Sequence, residues 1–572
     1  MENANEQRVA DFIVDFLLER EVDNFFLLTG NGAMYLNDAI AKQSGIKYFT
    51  ARNEAAAPMM AESYARMTGK LGVVCVTSGP GATNAISGLA EAWVDSAPIL
   101  IISGQAPTDQ IPVESSLLAV RTFGTAAIDA VSAVKSLTKY AVTIKDPNSI
   151  RFHMEKAFHL ALTGRPGPVW IDVPMDVQYA LVNPLTMDTF LPETAPDFSS
   201  STSAINKVVE LLNHAERPLI VGGQGLRQGH ALSAFQAFLN RTGIPTVFSR
   251  LGQDILPYSH SQNMGSVGRR GAKYSREILS RPDLIISLGS RLAVQLAGNK
   301  LEHFSPEAKI IMVDIDAAEL EFQGERIALP VCADVKHFLE ILISEIDDMI
   351  LPDWSTWLAE CQKLKSENPM EFPSQQTKFV DLYEFMASLD ANSSSTDTLV
   401  TDAGSNYYVG GQVYKFEQGQ REITSGTNAA MGLTIPLAIG AAVAMSENQI
   451  LAVTGDGSLE LNIQELKTIN YYNFNIKLFV INNGGYASMR NWQDTFFSGR
   501  RIGSDDETGT DMLDLSKVAD TFEIAYDSIV YTDDLNDKIY QILQKVGPTL
   551  IEVVCDPNQR LFQPFLDTSV SS

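Results

Sequence analysis

Residues 450–458 read ILAVTGDGS, and residues 477–483 read KLFVINN. Each segment begins as a short apolar run, typical of a buried strand, and ends in small or polar residues. Asp456 and Asn483 each lie just beyond the carboxyl end of a predicted strand. In a doubly wound parallel sheet those strand ends line one crevice, where ligands bind. The two segments therefore predict an α/β fold with a ligand site at this edge.

The polar residues at this edge suit a metal and a phosphate group. A carboxylate from Asp456 and an amide oxygen from Asn483 are ligands that Mg²⁺ accepts, with phosphates and water completing its shell. Gly455 and Gly457 leave room for a phosphate to reach backbone amides. We therefore predict a magnesium and phosphate site here.

The same alternation of strand and helix extends over the whole chain, which predicts three doubly wound parallel-sheet domains. We place them at residues 1–180, 200–345 and 377–572, separated by a loop near 191–201 and by a polar, proline-bearing linker near 352–376. The predicted strands are 25–28, 73–76, 99–102, 169–173, 219–221, 284–288, 310–313, 398–402, 450–453 and 477–481. The first and third domains echo each other, because residues 76–81 and 453–457 both place a glycine turn between strand and helix.

Composition limits the partners of the protein. The 572 residues carry a formal net charge of −26, which argues against nucleic acid and against an anionic membrane surface as partners. The four cysteines are scattered, a pattern that predicts neither a disulfide framework nor a zinc site. The polar N-terminus and the absence of a long apolar run predict a cytoplasmic protein.

The segments 455–458 and 482–483 resemble the GDG…NN signature of thiamine-diphosphate enzymes. The chain is similar over nearly its whole length to the acetohydroxyacid (acetolactate) synthase family. The resemblance implies a pyrimidine-binding, a central FAD- or nucleotide-type and a diphosphate-binding domain, in that order. It also implies that Asp456, Asn483 and the carbonyl of Gly485 hold Mg²⁺. The expected contacts of thiamine diphosphate on this side are Gly455, Asp456, Gly457, Ser458, Asn483, Gly485 and Tyr486.

Residues 52–66 resemble the RHE-x-x-A…A-x-x-YAR stretch of the family, with Asn53 in place of the family's histidine. Taken alone, Glu54 is an acid at the N-terminus of a helix. The resemblance implies that Glu54 contacts N1′ of the aminopyrimidine. Protonation there turns the neighbouring amino group into the base that takes the proton from thiazolium C2.

Two further segments match the family's cofactor loops. Residues 425–432 resemble G-x-x-G-T-M-G, which implies that Met431 bends the cofactor, although an ordinary core methionine fits the residue alone. Gln105 is a second predicted catalytic residue. The loop residues predicted to face the cofactor are Thr77, Gly79, Pro80 and Asn84.

The central domain resembles the FAD-holding domain of the synthases. The implied contacts are Gly222, Gly223, Gly289, Arg291, Asp314 and Asp334. The same central fold also occurs in relatives that bind no flavin, and acyl transfer needs no redox step. We therefore expect any FAD to have a structural role.

The predicted substrate pocket differs from the family pattern. Its residues are Gly30, Asn31, Phe123, Met175 and Trp492. Alanines 126 and 127 replace the glutamine and glutamate of F-Q-E-x-D, and Met175 replaces the lysine of P-K-D-V. These changes predict a larger or different acceptor. Trp492 matches the tryptophan that shapes the acceptor pocket, or is an ordinary buried aromatic residue.

The predicted function is a carboligase that decarboxylates a 2-keto acid such as pyruvate and passes the acyl carbanion to a carbonyl acceptor. The acceptor is a second 2-keto acid or a nucleotide-linked keto sugar. The alternatives are a decarboxylase that releases aldehyde, an oxidase that uses FAD, and a silent regulatory relative. All seven histidines lie beyond residue 150, which disfavours a decarboxylase of the histidine-pair kind. The resemblance implies a homodimer or homotetramer with Glu54 of one subunit over the diphosphate site of another.

Overall fold

The structure is a computed structural model, and its strands form three six-stranded sheets. It describes residues 6–111, 120–192, 202–268, 271–298, 301–370, 372, 378–533 and 535–561. Most of the loop predicted near 191–201 lies outside these residues. Every strand pair within the three sheets is parallel, and helices flank each sheet, so the predicted α/β class is confirmed. Within the described residues, no helix combines the length and the apolar character needed to cross a bilayer.

The first sheet has the order β3-β2-β4-β5-β7-β6. Its strands are β2 (Asn24–Leu27), β3 (Lys47–Thr50), β4 (Gly72–Val76), β5 (Ile99–Gln105), β6 (Tyr140–Thr143) and β7 (Val169–Pro174). Its helices are α1 (Val9–Leu18), α2 (Met34–Lys42), α3 (Ala56–Thr68), α4 (Pro80–Val94), α5 (Ala130–Val134), α6 (Ile150–Leu162) and α7 (Met175–Tyr179). A separate antiparallel pair joins β1 (Gln7–Arg8) to β8 (Leu181–Val182). The sequence missed β3 and β6 because these edge strands are only partly buried and lack a continuous apolar run.

The central sheet has the order β11-β10-β9-β12-β13-β14. Its strands are β9 (Pro218–Gly222), β10 (Thr246–Phe248), β11 (Asn263–Ser266), β12 (Leu284–Leu288), β13 (Lys309–Asp314) and β14 (Leu329–Cys332). Its helices are α8 (Thr202–His214), α9 (Gly225–Gln228), α10 (Leu232–Thr242), α11 (Lys273–Leu279), α12 (Val294–Ala297), α13 (Ala317–Gln323) and α14 (Val335–Ile346). Numbered along the chain, the strand order is 3-2-1-4-5-6, the order found in dinucleotide-binding folds. The direction in which successive strands are added to the sheet reverses between β9 and β12.

The linker predicted near 352–376 is wrong over most of its length, because α15 (Ser355–Glu367) lies inside it. Residues 371 and 373–377 lie outside the described part of the chain. The side chains of Trp357 and Cys361, one helical turn apart, are buried in the central core. The Trp357 indole also donates to the carbonyl of Pro218, 2.9 Å away. These apolar residues make the segment a helix of the central domain despite its polar composition.

The third sheet has the order β16-β15-β17-β18-β20-β19. Its strands are β15 (Thr398–Thr401), β16 (Arg421–Ile423), β17 (Ile450–Gly455), β18 (Ile476–Asn482), β19 (Ala525–Ile529) and β20 (Thr549–Val554). Its helices are α16 (Leu382–Asn392), α17 (Ser405–Val413), α18 (Thr434–Ala444), α19 (Asp456–Leu459), α20 (Leu466–Tyr472), α21 (Ala487–Phe497), α22 (Leu515–Phe522) and α23 (Leu535–Leu543). Numbered along the chain, the first and third sheets share the order 2-1-3-4-6-5. The predicted echo between the two domains is therefore confirmed at the level of topology.

Short 3-10 turns connect several of these elements. They occupy Asn31–Ala33, Thr108–Gln110, Lys135–Leu137, Pro147–Ser149, Arg250–Gly252, Leu301–His303, Gly324–Arg326, Glu460–Glu465 and Asp506–Thr508.

One hydrophobic core is common to the first and third domains. In β4, Val74 and Val76 face this shared core, whereas Val73 and Cys75 face a second core on the other side of the sheet. Burial on both faces explains why such strands read as unbroken apolar runs. Helices α3 and α18 fill the shared core from the two domains. The two terminal domains therefore pack as one body, and their strand ends are fixed relative to each other.

Candidate active site

The loops after β17 and β18 meet at the carboxylate of Asp456. One oxygen accepts hydrogen bonds from the backbone N–H groups of Asn483 and Gly485, at 3.1 and 3.0 Å. The other oxygen accepts from the N–H of Gly457, 2.8 Å away. Burial raises the pKa of Asp456, and these N–H donors oppose that rise. The structure thus brings together the two loops that the sequence analysis singled out.

The donor set at this point fits a hard divalent cation. The predicted ligands, which are the Asp456 carboxylate, the Asn483 amide and the Gly485 carbonyl, are all oxygen donors of the kind Mg²⁺ accepts. Gly485 has φ +113°, a value that side chains disfavour, so glycine is required at this turn.

Arg490, which sequence reasoning missed, holds the same loop from behind. Its guanidinium donates to the carbonyl oxygens of Asn483 and Gly484, at 2.7 and 2.8 Å, and to those of Ser504 and Pro557. The side chain is buried on α21. No local motif marks this arginine, because its partners are backbone carbonyls from three separate segments.

The turn Gly455–Ser458 has open space at Gly455 and is tightly packed at Gly457. A side chain at Gly455 would meet no atom within 4 Å, which leaves open space at the turn. A Cβ at Gly457 would lie 2.2 Å from the ring of Tyr486, so only glycine fits there. The Ser458 hydroxyl donates to the buried carboxylate of Asp402. Asp402, at the end of β15, was missed because the sequence analysis treated it only as the end of a strand.

The loop that carries Met431 is fixed to this turn. The N–H of Gly432 donates to the Ser458 hydroxyl at 2.8 Å, and the Asn462 amide donates to the Gly432 carbonyl at 2.8 Å. Met431 is only half-buried and belongs to none of the cores formed by the described residues. The alternative of an ordinary core methionine is therefore not supported.

Glu54 lies in the turn before α3, beside the glycine turn of the first domain. Its carboxylate accepts from the amide of Asn84 at 3.0 Å. A Cβ placed on Gly81 would lie 3.6 Å from the same carboxylate. Pro80 opens α4, and Gly79, with φ +58°, precedes it. Glu54 therefore lies beside Gly81 and Asn84 in the first turns of α4, the helix that follows Gly79 and begins at Pro80.

Glu465, at the start of α20, holds the Glu54 turn in place and was also missed from the sequence. One carboxylate oxygen accepts from the N–H groups of Arg52 and Asn53, at 2.7 and 3.0 Å. Burial raises the pKa of Glu465, and the two N–H groups oppose the rise. A residue of the third domain thus fixes the loop of the first domain that carries the predicted acid.

The predicted flavin residues meet at a cavity of about 300 Å³ where the central strand order reverses. Gly289, Arg291, Asp314 and Asp334 line it. Gly223 lies beside them, since its Cβ would be 2.2 Å from the Gly289 carbonyl.

Residues from all three domains enclose this cavity. Asp95 comes from the first domain and Gly426 from the third. Burial raises the pKa of Asp314 to about 6. Gly222 ends β9 next to the cavity and accepts from the N–H of Ser249 at 2.9 Å.

Comparison with known proteins decides the family. Profiles of the thiamine pyrophosphate enzymes match residues 7–131 (N-terminal TPP binding domain), 205–342 (central domain) and 402–553 (C-terminal TPP binding domain). Acetolactate synthase 1, chloroplastic, of Nicotiana tabacum is 30% identical over 570 residues, which cover 97% of this chain and 83% of that protein. The chain belongs to the acetolactate synthase family of thiamine pyrophosphate enzymes.

Two microbial relatives agree with this placement. The probable acetolactate synthase large subunit of Methanocaldococcus jannaschii is 31% identical over 562 residues, covering 96% of this chain and 92% of the relative. The acetolactate synthase large subunit of Lactococcus lactis is 31% identical over 555 residues, covering 96% and 93%. This synthase-family chain is thus a thiamine-diphosphate-dependent enzyme that forms carbon–carbon bonds between small molecules.

Gln105 of this synthase-family chain is engaged inside the protein. Its amide nitrogen donates to the carbonyl of Ile128 at 2.8 Å and to the carboxylate of Asp172 at 3.1 Å. Its amide oxygen accepts from the N–H of Ala106 at 3.0 Å. Burial raises the pKa of Asp172 to about 6. Gln105 therefore anchors the loop that carries Ile128, and its catalytic role stays a prediction.

The predicted substrate residues are spread over several surfaces. Gly30 lies against Thr77, whose hydroxyl accepts from the N–H of Gly32 at 3.0 Å. Asn31 is exposed at the start of its 3-10 turn, and Met175 is the first residue of α7.

Two aromatic residues of the predicted pocket are exposed. Phe123 is 75% exposed, and Trp492 is 56% exposed. The alternative that Trp492 is an ordinary buried aromatic is wrong, because α21 turns it outward beside Phe496, with ring centroids 4.9 Å apart.

Within one chain, Glu54 and Asp456 have separate hydrogen-bond partners. Glu54 bonds to first-domain residues, whereas Asp456 bonds to the third-domain loops. Among the described residues, no hydrogen bond joins Glu54 to the loops 455–458 or 483–486.

Proposed function

We propose that this protein decarboxylates pyruvate, or a similar 2-keto acid, and joins the acyl unit to a second 2-keto acid. The observation that carries the proposal is the Asp456 carboxylate, which bridges the loops after β17 and β18. The relatives named above are all acetolactate synthases, which supports a keto-acid acceptor over a nucleotide-linked keto sugar. The same relatives favour neither a simple decarboxylase nor an oxidase.

The third domain supplies the metal and diphosphate half of the site. Asp456, Asn483 and the Gly485 carbonyl would hold Mg²⁺, with Gly455, Gly457, Ser458 and Tyr486 around the diphosphate. Bound thiamine diphosphate supplies the nucleophilic carbon that attacks the keto acid and stabilises the charge left when carbon dioxide departs. Met431, next to the anchored Gly432, would lie against the bound cofactor and support its bend.

The first domain supplies the acid. The Glu54 carboxyl group, fixed by a 3.0 Å hydrogen bond from Asn84, would pair with N1′ of the aminopyrimidine and assist proton transfer there. Thr77, Gly79 and Pro80 form the wall beside it. From the family resemblance we infer a homodimer as the smallest active unit, with Glu54 of one subunit above the metal loops of the other.

We also infer that the central cavity holds FAD in a structural role. Gly223 and Gly289 let the two loops at this strand reversal pack closely together, and Arg291 in the cavity lining offers a cation for a diphosphate. Asp95 and Arg250 line the cavity, and each has a buried polar atom without a hydrogen-bond partner in the protein. These atoms suit a polar ligand.

The test is product analysis with labelled pyruvate offered together with pyruvate, 2-ketobutyrate and a nucleotide keto sugar. We expect label in acetohydroxy acids, and no product from Asp456→Asn, because the metal would lose its carboxylate ligand. Free acetaldehyde as the main product would mean a decarboxylase, and oxygen consumption would mean an oxidase. Label in the sugar would refute the keto-acid acceptor.

A further inference from the structure

Residues 424–428, which lead to Met431, run along the first domain of the same chain. Three charged side chains from α3, from α4 and from the residue after α4 bond to Thr424, Gly426 and Asn428. The guanidinium of Arg66 donates to the carbonyl of Thr424 at 2.9 Å. Asp95, just after α4, accepts from the N–H of Gly426 at 2.8 Å. Glu91 accepts from the side chain of Asn428 at 2.7 Å.

These three side chains belong to one buried charge cluster. Arg66 lies 3.0 Å from Glu62 and 3.4 Å from Asp95, and all three side chains are at most 5% exposed. Burial raises the pKa of Glu62, Glu91 and Asp95, although Arg66 opposes the rise. Placing three acids around one arginine costs desolvation energy. Apolar side chains could fill the same space without this cost, so the buried charges indicate a role other than packing.

The far end of the segment is fixed by the third domain. Gly432 bonds to Ser458 and to Asn462, as described above. Between the two ends, Ala429 has φ +50°, a left-handed conformation that residues other than glycine adopt only when their surroundings impose it. The segment 424–432 is therefore held in a strained path from both sides.

We propose that Arg66, Glu91 and Asp95 are positioning residues for the segment 424–432. By fixing this segment they hold Met431 against the cofactor. This inference rests on the proposed function, because it assigns the segment to the thiamine diphosphate site. The acids act by accepting hydrogen bonds from Gly426 and Asn428. Releasing one of these bonds frees Ala429 to leave its left-handed conformation, and Met431 then no longer has a single position.

The experiment compares Asn428→Ala and Glu91→Ala with two matched controls. Asn428 is exposed, so its truncation leaves the core intact. Glu91→Gln keeps an oxygen that accepts from Asn428. Glu62→Gln replaces another acid of the same cluster, one that has no hydrogen bond to the segment. Two quantities are measured: amide hydrogen exchange of 424–432 in the cofactor-free protein, and the dissociation constant of thiamine diphosphate with Mg²⁺ by calorimetry.

We expect both alanine variants to exchange at least ten-fold faster in this segment and to bind the cofactor at least ten-fold more weakly. The two glutamine variants should resemble the wild type in both measurements. Unchanged exchange or unchanged cofactor affinity in Asn428→Ala would overturn the proposal. A wild-type protein that binds no thiamine diphosphate would instead refute the proposed function. The exchange data would still show whether Glu91 and Asn428 hold the segment 424–432 in place.

Discussion

At the scale of single residues, Arg490 ties the metal loop to its surroundings through four carbonyl oxygens. Arg490→Lys keeps the charge, but an ammonium group has three donors and no planar fork, so several of these bonds are lost. We expect the Mg²⁺ concentration for half-maximal activity to rise about ten-fold, the scale typical of residues that orient metal ligands.

A Mg²⁺ titration of activity and of cofactor binding measures this change. Arg500→Lys is the matched control, because Arg500 is exposed beyond the end of α21. An unchanged Mg²⁺ requirement in Arg490→Lys would mean that the loop keeps its shape without the arginine.

Glu62 makes the stability of the fold depend on pH. Burial raises its pKa to about 8, whereas Arg66 lowers it, and the neighbouring acids Asp95 and Glu91 raise it further. The folded protein therefore keeps a proton on Glu62 that the unfolded chain releases above its ordinary pKa of 4.5. Stability from this group is full at low pH and falls as pH rises from about 4.5 to about 8.

Glu62→Gln should remove that loss, because glutamine does not titrate. We expect the denaturant midpoint of the variant to gain on that of the wild type steadily between pH 5 and pH 8. Chemical unfolding at a series of pH values measures the difference. If the denaturant midpoints of the two proteins changed with pH in parallel, ionisation of Glu62 would not affect the stability of the fold.

At the scale of elements, α3 and α18 pack so closely that only glycine fits at their crossing. A Cβ on Gly440 would lie 2.1 Å from the Met60 carbonyl, and the Ser63 hydroxyl donates to the Leu437 carbonyl at 2.6 Å. Gly440→Ala should destabilise the protein by about 1–3 kcal/mol, the usual cost of overpacking a core.

Gly410→Ala is the control for this change. Gly410 is also a buried helical glycine of the third domain, but the nearest atom to its Cβ would be 3.6 Å away. We expect no loss of stability there, because alanine favours helix over glycine. Thermal unfolding of both variants measures the contrast, and equal losses would contradict the close-packing argument.

The elements also show what the sequence predicts and what it does not. Fully buried strands such as β4 and β12 were predicted, because burial on both faces requires continuous apolar residues. Edge strands such as β3 were missed, and α15 was mistaken for a linker, because few of their side chains are buried. The interior strands β10 and β20 were also missed, because β10 has only three residues and Glu552 interrupts the apolar run of β20. The glycine turns and Asp456 carry local motifs, which made half of the site predictable.

The supporting residues of the site carry no such motif. Asp402, Glu465 and Arg490 act on atoms far away in the sequence, and only the packing of the sheets brings them there. Long-range contacts of this kind leave no periodicity or spacing in a single sequence.

At the scale of the whole molecule, the proposed homodimer predicts that variant subunits complement one another. Glu54→Gln and Asp456→Asn should each abolish activity as homodimers. A dimer with one subunit of each kind has one site with both lesions and one site with none. Since half of randomly mixed dimers are of this kind, about one quarter of the wild-type activity should return.

Refolding the two variants together and assaying the mixture measures this recovery. The matched control is each variant refolded alone at the same total concentration. A mixture as inactive as its parts would place Glu54 and Asp456 in the same subunit's site.

The core common to the first and third domains has a consequence for synthesis. When helix α3 leaves the ribosome, Met60 and Ser63 still lack their packing partner, because α18 is made about 370 residues later. At about 5–20 residues per second, the nascent chain carries that apolar face for roughly 20 to 75 s. During this interval the growing polypeptide is open to aggregation, and a chaperone that shields apolar helices would raise the yield of the enzyme.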